Sequence, residues 1–220
     1  MVNITFLGTG TSQGVPVIAC NCLVCKSSDF KDHRLRSSIL IQTDETSIVI
    51  DTGPDFRQQM LRAQVNRLDA VIFTHEHKDH IAGMDDIRAF NFKQRKDMDV
   101  YADIRVQKAL IREYPYVFEK YKYPGVPQVR IKLIENQVFN INETRIIPIQ
   151  AKHYKLPVFG FRIKNFVYLT DVSAISIEEK QKMIGADLIV LDALRREAHI
   201  SHFNLDEALE LLAELKPKQA

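Results

Sequence analysis

The sequence predicts a layered α/β domain, two mostly antiparallel sheets packed together with helices on the outside. Short apolar runs rich in β-branched residues recur along the whole chain, each closed by turn-forming residues. Patterns of helical period lie between them. The early runs follow one another as hairpin-like neighbours and the later ones alternate with helical stretches, a mixture that suits a layered arrangement.

From the N-terminus, the strand candidates are Ile4–Leu7, Ser38–Thr43, Ser47–Ile50, Ala70–Phe73, Val129–Ile134, Arg145–Ile149, Phe159–Ile163, Phe166–Thr170 and Leu188–Leu191. Gly8 and Gly10, Asp44-Glu45, Gly53-Pro54, Pro148 and Lys164-Asn165 punctuate them. Asp55–Gln64 follows Pro54 and repeats Phe56, Met60 and Leu61 at helical spacing; Ile104–Glu113 does the same with Val106, Leu110 and Ile111. Ser176–Ile184 opens on a serine with Glu179 three residues later, the pattern of a capping box. Leu205–Leu215 carries an apolar stripe behind Asn204 as N-cap. The segment Tyr114–Gly125 is aromatic, proline-bearing and aperiodic, and reads either as a packed loop or as a flap over a site. No repeat, low-complexity tract or linker interrupts the chain, so residues 1–220 read as a single domain.

The 220 residues suffice to bury a substantial core, and 45% hydrophobic with 26% charged residues is the profile of an ordinary globular protein. A net charge of +2 is too small to argue for nucleic acid or an anionic membrane. No apolar run approaches the ~18 residues of a bilayer span. The opening run to Leu7 is too short for a signal peptide, so the cytoplasm is the expected location. The three cysteines, Cys20, Cys22 and Cys25, are crowded at C-x-C-x-x-C spacing. An odd number builds no disulfide framework, and three thiolates lack one ligand of a closed zinc site. His33 is the nearest candidate for the fourth.

The densest chemistry is Thr74-His75-Glu76-His77-Lys78-Asp79-His80, directly after an apolar run. Imidazole and carboxylate bind borderline divalent ions, and a strand ending in a tight turn presents them at one sheet edge. The spacing is not the helical H-E-x-x-H pattern. The run Gly8–Gly14 lacks the Lys-Ser/Thr of a phosphate-binding P-loop and reads as a tight loop beside the metals, with Ser12 and Gln13 near the substrate.

This histidine motif, Ile50-Asp51-Thr52-Gly53 upstream and isolated His and Asp residues downstream resemble the metallo-β-lactamase superfamily, from the opening strand to the final helix. The opening Phe6–Pro16, the cysteine loop and Arg34-Leu35-Arg36-Ser37-Ser38 are similar to its PhnP-like phosphodiesterase branch. The resemblance implies an αββα four-layer sandwich with two divalent ions, zinc or manganese, at the sheet edge. His75, His77 and His153 would hold the first ion, Asp79 and His80 the second, and Asp171 would bridge them. Asp51 would orient a ligand histidine, and the cysteines would hold a structural zinc. The catalytic candidates are Asp79 and His202, the latter favoured over His199 as proton donor to the leaving group. Members of this branch continue past the last helix into a strand ending in a threonine-histidine segment that supplies further ligands. The chain, closing at Lys216–Ala220, is accordingly expected to be truncated.

The implied activity is attack of a metal-activated hydroxide on small cyclic or linear phosphodiesters. A tRNA 3′-processing endonuclease shares the ligands but is disfavoured by the weak charge and the lack of a recognisable RNA-gripping arm. A non-hydrolytic metal-binding protein accessory to cofactor biosynthesis is disfavoured by His202 beside a complete H-x-H-x-D-H, and β-lactam hydrolysis by the missing export signal. The expected partner is thus a small phosphodiester, with no membrane, nucleic acid disfavoured and a homodimer left open.

Overall fold

Valine- and isoleucine-rich runs in the first part of the chain form a six-stranded mixed sheet, β1 (Val2–Gly8), β2 (Ser38–Thr43), β3 (Ser47–Ile50), β4 (Ala70–Ile72), β5 (Met98–Ala102) and β6 (Val129–Leu133), in that order. The structure is a computed structural model that describes residues 2–220, and the chain divides into two compact units at Leu133/Ile134. In the first unit β1–β2 and β2–β3 are antiparallel, but β3–β4, β4–β5 and β5–β6 are parallel. The expectation of a mostly antiparallel sheet fails here. Helices separate these last strands: α1 (Phe56–Arg62), then α2 (Lys78–Ile81) with α3 (Arg88–Gln94), then α4 (Ile104–Glu113) with α5 (Pro115–Phe118). A crossover through a helix returns the chain in the same direction, whereas a tight hairpin reverses it.

Leu40, Val49, Val71 and Val100 meet Phe56, Met60, Phe90, Val106 and Leu110 in one core. Ile39, Ile41, Ile48, Ile50 and Ile72, on the opposite face, are equally buried. Strands covered on both faces read as continuous apolar runs, which is why β2–β4 were visible in the sequence. Strand β5 was missed because Asp99 and Tyr101 interrupt the apolar run, although Met98, Val100 and Ala102 point inward in strict alternation. Helix α3 was missed because nothing marks its ends: no side chain caps it, and it stops at Arg95 in the left-handed conformation without a glycine.

The second unit holds β7 (Phe139–Ile141), β8 (Thr144–His153), β9 (Leu156–Ile163), β10 (Phe166–Tyr168), β11 (Ala174–Ile175) and β12 (Leu188–Val190). Their order is β11-β8-β9-β10-β12, with β7 beside β8, and only β10–β12 is parallel. Pro148 does not punctuate the chain as expected; it lies inside β8 opposite Phe161. On its other side β8 pairs with β7 only as far as Ile146 and with β11 from Ala151, so the proline sits in the gap and interrupts no ladder there. Gly160 in β9 lets Leu169 close over it, since a Cβ there would stand 2.3 Å from Leu169 Cδ2. Helices α6 (Ile177–Gln181) and α7 (Leu205–Leu215) follow their expected caps. Leu211 and Leu215 of α7 pack with Ile149, Val167 and Ile189.

The two caps differ in chemistry. Asn204 and Glu207 form a reciprocal capping box at α7. At α6 only half of one exists, because Ser176 Oγ accepts from Glu179 N–H while the Glu179 carboxylate turns inward. It accepts from Asn136 Nδ2 (2.6 Å), Gln150 N–H (2.7 Å) and Lys182 Nζ (2.8 Å). Burial pushes this carboxyl up, but the Lys182, Asn136 and Gln150 bonds outweigh it and hold it below its ordinary 4.5. A carboxyl lowered in the folded state stabilises above its unfolded value and loses that contribution as the pH falls. Glu179→Ala should therefore cost about 2–3 kcal/mol at pH 7, with the deficit shrinking as the pH falls below 4.5, read by urea unfolding at both ends of that range.

Candidate metal centre

Each unit ends a strand in an aspartate held in the left-handed backbone region. Asp51 follows β3 with φ 65°, and Asp171 follows β10 with φ 57°. Residues bearing a Cβ avoid this region, and aspartate is among the few that tolerate it, because its short carboxylate bonds to nearby groups.

In the first unit Asp51 is fully buried. Its Oδ1 accepts Thr74 N–H and its Oδ2 accepts both the Thr74 hydroxyl and His80 Nδ1–H, all at 2.8 Å. Burial pushes the Asp51 carboxyl up, and His80 and Thr74 act against that push. Having donated its proton, Thr74 Oγ1 accepts from His75 Nδ1 at 3.0 Å. One carboxylate therefore occupies the Nδ1–H of His80 directly and that of His75 through a hydroxyl. Both Nε2 atoms are left as lone-pair donors. His75 Nε2 stands 3.0 Å from His77 Nδ1, and His80 Nε2 stands 3.3 Å from Asp79 Oδ2. Two ligand atoms on a tetrahedral zinc are separated by ~3.3 Å, so each pair fits one edge of a coordination sphere.

Backbone contacts set this turn in place. His77 precedes α2, and Asp79 with His80 lie within it. Thr52 N–H donates to His80 O (2.8 Å), and Gly83 N–H donates to Thr52 O (2.7 Å). A Cβ on Gly53 would lie 2.1 Å from Asp79 O, so any side chain there would push α2 off the strand end. Glu76, between the two histidines, accepts from Arg105 Nε (3.1 Å) and Nη2 (2.7 Å) instead.

In the second unit His153 closes β8 and donates Nδ1–H to Ser201 O at 2.7 Å, again leaving Nε2 to bind. Asp171 Oδ2 accepts the Thr170 hydroxyl at 2.8 Å. His202 Nδ1 lies 3.1 Å from Asp192 Oδ2 and 3.7 Å from Asp171 Oδ1. Burial pushes the Asp192 carboxyl up while its bond to His202 lowers it, and its other oxygen accepts Val172 N–H. His153, Asp171 and His202 each bring a ligand atom within 4.8 Å of the others. His199 Nδ1 instead accepts from Ser201 N–H and approaches the Ser201 hydroxyl, bracing the loop.

The thiols of Cys20, Cys22 and Cys25 also lie within 4.8 Å of one another. Val17 N–H donates to Cys25 Sγ (3.3 Å) and Cys25 N–H to Cys22 Sγ (3.4 Å); the second bond lowers the Cys22 thiol, whereas burial and the neighbouring thiols raise that of Cys25 despite the first. The fourth ligand suggested by sequence is not brought in: His33 Nε2 pairs with Ser27 O at 3.2 Å. Ser12 and Gln13 are exposed, on a loop pinned where Ser12 O accepts Arg36 Nε.

Sequence reasoning missed three contributors. Asp192 was legible, because it follows the apolar run Leu188–Leu191 just as Asp51 and Asp171 follow theirs. The Thr74 hydroxyl and the Ser201 carbonyl had no signal, since a relay and a backbone acceptor depend on geometry alone.

Residues 46–220 match the family described as the beta-lactamase superfamily domain. The crystal structure of a diphosphatase from the PhnP family superimposes with a TM-score of 0.91 at 35% identity, covering 99% of this chain and 84% of that one. The octanoyltransferase of Porphyromonas gingivalis is 38% identical over 212 residues, 95% of this chain but 43% of that protein. The ribonuclease Z of Bradyrhizobium diazoefficiens is 27% identical over 165 residues, 73% of this chain and 49% of that protein. The chain spans about half the length of the curated relatives it matches.

Thr74→Val should lower divalent-metal affinity by about 10–100-fold in chelator competition, with Thr74→Ser restoring it. Unchanged affinity in the valine variant would remove the hydroxyl from the account of His75.

Proposed function

Because the chain belongs to the beta-lactamase superfamily, in its PhnP branch, we propose that it is a metal-dependent hydrolase that cleaves small cyclic or linear phosphodiesters. The α/β fold is that of the superfamily, as the resemblance implied. The observation that carries the reading is the preset state of the imidazoles. His75, His80 and His153 each have Nδ1–H engaged by a hydroxyl, a carboxylate or a carbonyl. Metal-binding histidines are held in this way, and ordinary surface histidines have no need of it.

In this reading His75, His77 and His153 would hold one ion, Asp79 and His80 would hold a second, and Asp171 would serve both. Bound there, zinc or manganese ions supply Lewis acidity at phosphorus and a water acidic enough to attack it near neutral pH. Asp79 also orients the nucleophile. His202 releases a proton from Nε2 to the leaving alkoxide, while Asp192 keeps Nδ1–H and stabilises the cationic ring. The cysteines hold a separate structural zinc, and their use as thiols fits the reducing cytoplasm.

Similarity to a diphosphatase and to a ribonuclease supports phosphoryl chemistry. The likeness to an octanoyltransferase covers less than half of that protein and carries no acyl-transfer reading. The ribonuclease Z likeness favours tRNA 3′-processing as the second reading.

Purified protein loaded with zinc or manganese should turn over a chromogenic phosphodiester faster than the matching monoester or a tRNA precursor. Preference for the precursor would select the second reading, and activity on none of them would remove both. Asp171→Ala should lower diester turnover at least 100-fold, with loss of one metal equivalent by elemental analysis. His202→Ala should cost about 100-fold or more with an alkoxide leaving group and far less with p-nitrophenolate, which departs unprotonated. Equal losses for the two leaving groups would end its role as acid.

A further inference from the structure

The stretch from Tyr114 through α5 to β6 sorts its aromatic side chains into two groups. At its root Tyr114 and Val117 are buried. Tyr114 donates its hydroxyl to Ile81 O (3.0 Å) and Tyr116 donates to Asp85 (2.6 Å). At its far end Pro127 is buried, Gln128 N–H donates to Asn91 Oδ1 (3.0 Å) and Asn91 Nδ2 donates to Gln128 O (2.9 Å). Between these anchors Tyr121 and Tyr123 are 84% and 80% exposed. They alternate with Lys120 and Lys122, and Pro124 with Gly125 (φ 108°) turns the tip back. Ile81 is the last residue of α2, so the root is bonded to the helix that presents Asp79 and His80.

Two rings left in water beside a root that buries its own are an unused apolar surface with cations on either side. Lys120 Nζ stands over the Tyr121 ring, 5.5 Å from its centroid. Alternating aromatic and basic side chains match a ligand that alternates flat bases with phosphates. A protein partner fits less well, because a stable interface needs ~800 Å² per side and two rings fall far short.

We propose that Tyr121 and Tyr123 form a platform for unstacked nucleobases, with Lys120 and Lys122 meeting the adjoining phosphate. The diester delivered to the metal centre is then a dinucleotide or a short single strand. The inference rests on the phosphodiesterase reading and narrows its substrate class. It also limits what the net charge of +2 excludes. A weak overall charge argues against a duplex footprint of many phosphate contacts, whereas stacking contributes about tenfold in affinity per base without needing net charge.

The test uses the metal-loaded protein and two slowly cleaved probes, an adenine dinucleoside phosphorothioate and its abasic counterpart, with binding measured by calorimetry. The base-bearing probe should bind at least tenfold tighter. The double variant Tyr121→Ala/Tyr123→Ala should abolish that preference, the corresponding Phe variant should keep it, and turnover of methyl p-nitrophenyl phosphate should be unchanged in both. Equal binding of the two probes, or a preference that survives in the alanine variant, overturns the platform. A tyrosine-dependent preference in a protein that cleaves no diester would leave the platform standing and remove the phosphodiesterase reading instead.

Discussion

A buried carboxylate with three hydrogen bonds decides which atom of two imidazoles is left to bind. Asp51 would be costly inside the protein without partners, and the Thr74 amide, the Thr74 hydroxyl and His80 satisfy it. The same bonds tie the end of β3 to the turn after β4 and to α2. That tie depends on strand direction. β3 and β4 are parallel, so Ile50 and Ile72 lie side by side and the residues after them leave the same edge. Antiparallel pairing would have put Asp51 and the histidine motif at opposite ends of the sheet. Open sheets with parallel strands gather ligands beyond their carboxyl ends, and it is at that end that this unit collects Asp51 and the histidine motif.

The second unit repeats the logic with other parts. β10 and β12 are paired in parallel, and Asp171 and Asp192 follow them. Asp192 takes the part toward His202 that Asp51 takes toward His80, holding one ring nitrogen so that the other is defined. His153 needs no carboxylate, because the Ser201 carbonyl fills the same role. The choice between a charged and a neutral acceptor has chemical meaning. A carboxylate makes the ring it holds more basic, at His80 as at His202, whereas a carbonyl fixes the tautomer without adding charge.

Charged side chains near the histidine turn are paired with α4. Glu76 sits between two ligand candidates yet is held by Arg105, an ion pair whose value lies in direction more than in strength. Lys78 is likewise paired with Glu113. Both acidic and basic neighbours are thus turned onto α4, and α2 presents only Asp79 and His80.

Residue spacing alone determined that β2 and β3 exist with their exact bounds, that α4 and α7 span Ile104–Glu113 and Leu205–Leu215, and that His75, His77, Asp79 and His80 lie side by side. Each of these depends on neighbours close in sequence: hydrophobic period, a capping side chain, a four-residue turn. Tertiary structure alone decided the parallel pairings of β3–β6, the place of Pro148 in a gap between two partner strands, and the diversion of Glu179 from its capping box to Lys182 and Asn136. It also supplied the Thr74 relay and the Ser201 acceptor, and it kept His33 out of the cysteine cluster. These involve groups brought together across the chain or aimed by local geometry, and a hydrogen bond depends on distance and angle, which residue order does not record.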